Sequence, residues 1–162
     1  MSAAPEGLDA FTDLLDYPLY VVTAATATER AGCLVGFASQ CSIEPPRFAV
    51  WLSRANRTYR VARGADHLAV HLLPRRHALA ELFGGQTGDE VDKFAQADWS
   101  PGPRGTVLLQ DVPAWFVGRV LDRFDGGDHL GFLLEPVAAG RGTGAAPLTF
   151  QQASDIEAGH PA

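Results

Sequence analysis

The chain has 162 residues, 46% hydrophobic and 20% charged, which fits one domain with a single substantial core. Its net charge of −6 argues against wholesale nucleic-acid binding, which asks for a basic surface, and no run of about 18 apolar residues offers a membrane span. The acidic N-terminus lacks a basic and then apolar leader, and the two cysteines do not make a disulfide framework, so a cytoplasmic, reducing address is expected.

Leu8, Phe11, Leu14 and Leu15 recur at helical spacing with Asp9 and Asp13 opposite, predicting a helix over 8–15 that Pro18 ends. Residues 19–25 are β-prone throughout. After a polar turn at 26–31, residues 32–38 return as a second strand. Residues 39–46 form a polar elbow, because Pro45 and Pro46 cannot both donate to a ladder. A third strand follows at 47–52, with Phe48, Val50 and Leu52 on one face. Asn56 caps a short helix that runs through Arg63 and stops at Gly64. In the strand at 67–73, His67, Ala69 and His71 share one face and Leu68, Val70 and Leu72 the other. Pro74 opens a helix over 77–83, closed by Gly84 and Gly85, and another short helix is expected at 89–95. Residues 100–113, rich in Gly and Pro, read as a long crossing loop. The longest strands, 115–124 and 129–138, are joined by Asp125-Gly126-Gly127-Asp128, a hairpin signal. An edge strand at 148–150 and a loose polar tail at 151–162 complete the chain, so one domain is expected over 1–150, followed by the tail. Six or seven strands with short helices predict a mainly β fold, an antiparallel barrel with helical additions.

The most informative stretch is 32–53. Gly36, Ala38, Ser39, Gln40 and Ser42 stand where a structural strand would carry β-branched or aromatic residues. Two readings remain open: a bulged corner that closes the barrel, or an elbow wrapping a flat phosphorylated ligand, with Gly36 marking a close approach. No Gly-x-Gly-x-x-Gly joins a strand to a helix, and there is no P-loop or Gly-x-Ser-x-Gly. A Rossmann fold, nucleotide hydrolysis and serine-hydrolase chemistry are therefore disfavoured. Cys33, Cys41, His67 and His71 lack the close cysteine pair of a zinc site, so no metal is expected. His129, directly after Asp128, is either a turn histidine or a hydrogen-bonding and proton-donating group at a pocket rim. Arg54, Arg57, Arg60 and Arg63 step around about half a helix circumference, so at most two or three can meet one anion; the alternative is a solvated face. Phe83 and Phe94 read as core aromatics.

Several motifs agree in order and spacing. Residues 17–24 (YPLYVVTA) resemble the opening strand of the flavin reductase-like family of FMN-binding split barrels. Residues 32–46, ending Ser42-Ile43-Glu44-Pro45-Pro46, resemble its cofactor elbow. Asn56-Arg57-Thr58-Tyr59 stands at its phosphate segment, Leu79-Ala80-Glu81-Leu82-Phe83 followed by Asp92-Lys93-Phe94 matches its helical insertion, and Gly127-Asp128-His129 is similar to its Gly-Asp-His signature. The resemblance covers roughly residues 16–140. It implies a Greek-key split β-barrel, a homodimer, and FMN (or FAD) in a groove between subunits. It also implies flavin reduction by NAD(P)H, often for a separate monooxygenase. By resemblance the elbow residues Leu34, Val35, Gly36, Phe37, Gln40, Cys41 and Ser42 face the flavin ring and ribityl chain. Ser53, Arg54, Asn56, Arg57 and Thr58 face the phosphate, and His71 replaces an Asn of the later strand. His129 is the implied catalytic residue beside the isoalloxazine. The family elbow carries hydroxyl residues where Leu34, Gly36 and Phe37 stand, and each hydrogen bond lost is worth roughly 0.5–1.5 kcal/mol. That departure motivates an alternative: a flavin- or small-ligand-binding barrel without reductase turnover, or one using a deazaflavin or haem.

Overall fold

A computed structural model describes residues 3–85, 92–144 and 147–156. Nine strands and three α-helices are present among them. In chain order these are α1 (Leu8–Thr12), β1 (Tyr20–Ala25), β2 (Arg30–Val35), β3 (Ala38–Ser42), β4 (Arg47–Ser53), α2 (Arg57–Ala62), β5 (His67–Leu72), α3 (Ala78–Gly84), β6 (Trp99–Pro101), β7 (Val107–Leu109), β8 (Ala114–Asp125) and β9 (His129–Arg141). Seven strands form one antiparallel sheet in the order β2-β1-β5-β8-β9-β4-β3. Its two outer strands, β2 and β3, are consecutive in sequence with only Gly36 and Phe37 between them. The ends of the sheet must therefore meet, and the sheet rolls into a barrel whose seam lies at this elbow. Beyond Ala38, Trp51 N–H donates to Phe37 O at 2.9 Å and carries the β3–β4 ladder up to the elbow.

The barrel interior holds Val22, Cys33, Val35, Val50, Leu52, Leu68, Val70, Phe132 and Leu134, and Val61 and Ala62 of α2 close one end. A second cluster covers the outside of β1, where Leu19, Val21, Phe83, Phe94, Leu109 and Leu148 pack. β1 and β5 are thus buried on both faces, which is why both read as nearly unbroken apolar runs. The polar groups on the outer face are satisfied by the β6–β7 hairpin. Thr23 Oγ1 donates to Val107 O at 2.7 Å, and Leu109 N–H donates to His71 Nε2 at 3.0 Å.

Several expectations need correction. The strand expected at 32–38 ends at Val35, and at Gly36 the Tyr17 ring fills the space a Cβ would take, 2.9 Å from its ideal position. Much of the elbow at 39–46 is itself strand β3, with an irregularity between Gln40 and Ser42; the turn proper is residues 43–46. The loop expected at 100–113 contains the β6–β7 hairpin. In place of an edge strand at 148–150 there are isolated bridges, Pro18 to Thr149 and Pro74 to Pro147. Of the helix expected at 89–95, residues 89–91 lie outside the described residues, and the rest is a 3-10 turn, Lys93–Ala95. The first helix is shorter than expected and buries no residue, leaving Phe11 and Leu14 exposed. Residues 151–156 are not loose, since Ala153 is buried and Ile156 packs on the second cluster; residues 157–162 lie outside the described residues.

Candidate functional site

A groove of about 590 Å³ opens beside the seam. β2 supplies Cys33, Leu34 and Val35, the elbow Gly36 and Phe37, the end of β4 Trp51 and Ser53, α3 Phe83 and Gly84, and β9 His129. The fourth wall comes from the two ends of the chain. Tyr17 and Phe150 stack at 4.9 Å, and the Gln151 side chain donates to Asp13 O and Leu15 O at 3.2 and 2.8 Å. Most of this lining is apolar and much of it flat.

His129 reaches the rim because Ser53 and His129 are cross-strand partners. Arg54 fixes that end of the ladder. Its backbone N–H donates to Asp128 O, its Nε to Gly127 O at 3.0 Å, and its Nη2 to Asp125 Oδ1 at 2.9 Å. Asp125 Oδ1 also accepts the Gly127 N–H, and these contacts hold its carboxyl below the usual range, the backbone bond first and Arg54 second. Gly127, at φ 112°, takes the left-handed conformation the turn requires. His129 Nδ1–H donates to Asp128 Oδ1 at 2.6 Å, a tautomer assigned from that contact that leaves Nε2 as the ring's other hydrogen-bonding atom. Its ring lies 5.0 Å from Phe37, tilted by 55°. Trp51 lies over Gly131 and Gly126, whose missing Cβ atoms would stand 2.7 and 2.6 Å from its ring.

At its polar end the groove shares Asn56 with a water-sized cavity of about 10 Å³ lined by Arg30, Asn56, Arg57, Thr58, Asp92 and Lys93. Asn56 caps α2 through its side chain, accepting the Thr58 N–H at 2.9 Å. Thr58 Oγ1 is buried with no hydrogen-bond partner among the described residues. Such a group asks for a ligand or water. Lys93, only 5% exposed, donates to Gly32 O at 3.2 Å and Phe83 O at 3.0 Å, tying α3 to β2. Burial pulls its pKa below the ordinary lysine value. Burial also pushes the Cys33 thiol up to about 11, so this groove residue stays a neutral, unreactive thiol.

The structure therefore brings together Leu34, Val35, Gly36, Phe37, Ser53, Asn56 and His129 in the groove, with Arg57 and Thr58 at the adjoining cavity. It does not bring Gln40, Cys41 and Ser42 there, because β3 turns away and Gln40 Nε2 donates to Ser42 O instead. Arg54 serves the hairpin turn. His71 is fully buried on the outer face of β5, where its Nδ1–H donates to Val21 O at 2.9 Å. Of the arginine series only Arg57 reaches the small cavity; Arg63 lies over the Tyr59 ring. Sequence reading missed Lys93, the chain's only lysine, as a site residue. It also missed Trp51 and the wall of Leu15, Tyr17, Phe150 and Ile156, for which exposed apolar residues at both chain ends were the available signal.

A family model described as the flavin reductase like domain matches residues 12–156. Among curated relatives, a stachydrine N-demethylase reductase subunit of Rhizobium meliloti is 30% identical over 113 residues, 67% of this chain and 48% of that protein. An FMN reductase (NADH) RutF of Variovorax paradoxus is 30% identical over 131 residues, 80% of this chain and 72% of that protein. The chain spans about half the length of the first of these, or 48%. Among solved structures, an FMN-binding protein from Thermus thermophilus with bound 1-cyclohex-2-enone superposes with TM-score 0.77 at 25% identity, covering 87% of this chain and 79% of that one. A flavin reductase domain protein from Arthrobacter shares the fold at TM-score 0.79 and 20% identity, covering 96% of each chain. With its rolled seven-stranded sheet and a match over 12–156, the chain belongs to the flavin reductase like domain family, and its barrel is that family's split barrel.

Proposed function

We propose that this protein is an NAD(P)H-dependent flavin reductase that takes FMN, or FAD, in the seam groove and supplies reduced flavin to a separate monooxygenase. The observation that carries the reading is the match between the site's two ends and such a ligand. An apolar groove with flat walls meets, at Asn56, a cavity holding Arg57, Lys93 and the orphaned Thr58 hydroxyl. The flat ring suits the first; the second has room for one water only, so a phosphate would lie at its mouth, where guanidinium and hydroxyl donors face the groove. A flavin supplies the hydride acceptor and a nicotinamide the donor. The chain's contribution is to hold and orient. Leu34, Phe37 and Trp51 exclude water from the ring face, Asn56 and Thr58 offer hydrogen bonds, and His129, oriented by Asp128, presents Nε2 at the rim as the catalytic hydrogen-bonding group. The reductase names of two relatives support this reading.

A homodimer is part of the proposal. An open apolar face lined by Tyr20, Phe48, Leu72, Trp115, Phe116 and Ala139 offers a second copy a surface to cover. Among the described residues no helix is long and apolar enough to cross a membrane. The unbonded Cys33 and Cys41 support a reducing, cytoplasmic setting.

Anaerobic mixing of the flavin-loaded protein with NADH and with NADPH tests the activity, with bleaching of the flavin band expected. A colour that persists with both donors marks a flavin carrier instead. His129→Ala is expected to slow that bleaching at least about tenfold while changing the FMN dissociation constant less; an unaltered rate removes His129 from the mechanism.

A further inference from the structure

One wall of the seam groove carries a hydroxyl that the fold holds in place but does not use. Tyr17 lines the groove beside the elbow, where its Cε2 and Oη stand 2.9 and 3.5 Å from the position of a Cβ at Gly36. Position 36 has no side chain of its own, and the phenol of Tyr17 occupies that space instead. The two chain ends clamp the residue. Its ring stacks on Phe150 at 4.9 Å with the planes 21° apart, Phe150 N–H donates to Tyr17 O at 2.9 Å, and Tyr17 N–H donates to Asp16 Oδ1 at 3.0 Å. Asp16 Oδ1 also accepts the Gln151 N–H at 3.0 Å. The other hydroxyl, amide and imidazole groups of the groove are engaged: Thr12 with Leu8 O, Ser53 with Ala55 N–H, Asn56 with Thr58 N–H, and His129 with Asp128. The Tyr17 hydroxyl has no hydrogen-bond partner among the described residues. Burial first and Asp16 second raise its pKa above the ordinary tyrosine value, so near neutral pH it is an uncharged O–H able to donate.

We infer that Tyr17 is a ligand-contacting residue whose phenol donates a hydrogen bond to the acceptor edge of the flavin ring. The inference rests on the flavin reading above. An isoalloxazine carries its carbonyl oxygens and ring nitrogens toward its pyrimidine end and methyl groups at the other. A single fixed donor in an otherwise apolar wall selects which end turns toward the elbow, because an acceptor left against Leu15 or Leu34 would give up its bond to water without replacement. A donor already clamped before the ligand arrives loses little conformational freedom on binding. A residue from ahead of β1 thus supplies at the elbow the hydrogen bond that the side chains of Leu34, Gly36 and Phe37 cannot make.

Tyr17→Phe removes the hydroxyl and keeps the ring on Phe150. The full-length protein and this variant are titrated with riboflavin and with FMN by quenching of flavin fluorescence, and both proteins are melted without ligand. The two dissociation constants are expected to rise by the same factor, about three- to tenfold, at an unchanged melting temperature. Unchanged affinities overturn the assignment. A loss for FMN that riboflavin does not share also overturns it, by moving the hydroxyl to the phosphate. A lower melting temperature of the ligand-free variant overturns it as well, by giving the hydroxyl a partner within the fold. Failure of the unsubstituted protein to bind either flavin is a separate result, which removes the flavin reading and this assignment with it.

Discussion

His71 offers a test of the fold that also separates it from the ligand site. Its ring is fully buried, with Nδ1–H donating to Val21 O at 2.9 Å and Nε2 accepting the Leu109 N–H at 3.0 Å. A proton on Nε2 would face that N–H donor in a fully buried site. Burial holds the ring neutral and lowers its pKa from 6.5 to about 4. Because the folded-state value lies below the unfolded one, the unfolded chain takes up the proton first as pH falls. The stabilisation is fully present above about pH 6.5 and is lost on the way down to about pH 4. At about 1.4 kcal/mol per pH unit, the loss is about 2 kcal/mol by about pH 5 and about 3 kcal/mol by about pH 4. His71→Gln keeps an acceptor for Leu109 N–H but carries no titrating group, so it removes this slope at a cost of about 1 kcal/mol near neutrality. Urea unfolding of both proteins at several pH values between about 7 and 4 reads the difference, since other carboxylate effects are common to both. Parallel stability profiles would refute the argument. Flavin affinity near neutral pH is expected to be the same in both proteins, because His71 faces away from the groove.

Two further substitutions probe the groove. Gly131→Ala places a methyl about 2.7 Å from the Trp51 ring, costing about 1–3 kcal/mol and weakening flavin binding by moving a wall; thermal melts and calorimetry read both, and unchanged values would show that the ring accommodates the methyl. Lys93→Met keeps the volume and removes the cation beside Thr58. It is expected to weaken FMN by roughly tenfold while leaving riboflavin, which has no phosphate, within about twofold. Equal losses for the two ligands would restrict Lys93 to tying α3 to β2.

Much of the local structure is legible in the residues themselves. The Asn56 cap, the glycine turn before His129, and the β-branched run of β1 each follow from short-range stereochemistry. Part of the candidate site is legible too: Gly36, Phe37, Asn56 and His129 border the groove, while Gln40, Cys41 and Ser42 do not. Periodicity did not reveal which strand neighbours lie across the seam. Gly36 looked like room for a ligand, but the room is taken by Tyr17, a residue far away in sequence.

The sequence by itself determined the long strands, the mainly β antiparallel class and the family, because these depend on alternation, turn residues and motif order. Tertiary structure alone decided the membership of the site. Two arginines in neighbouring positions, Arg54 and Arg57, go to a hairpin clasp and to a cavity, because strand pairing of β4 with β9 captures the first before α2 begins. A lysine and two chain ends join the site from a distance. Their contribution depends on packing against β2 and α3, and no local pattern encodes that contact.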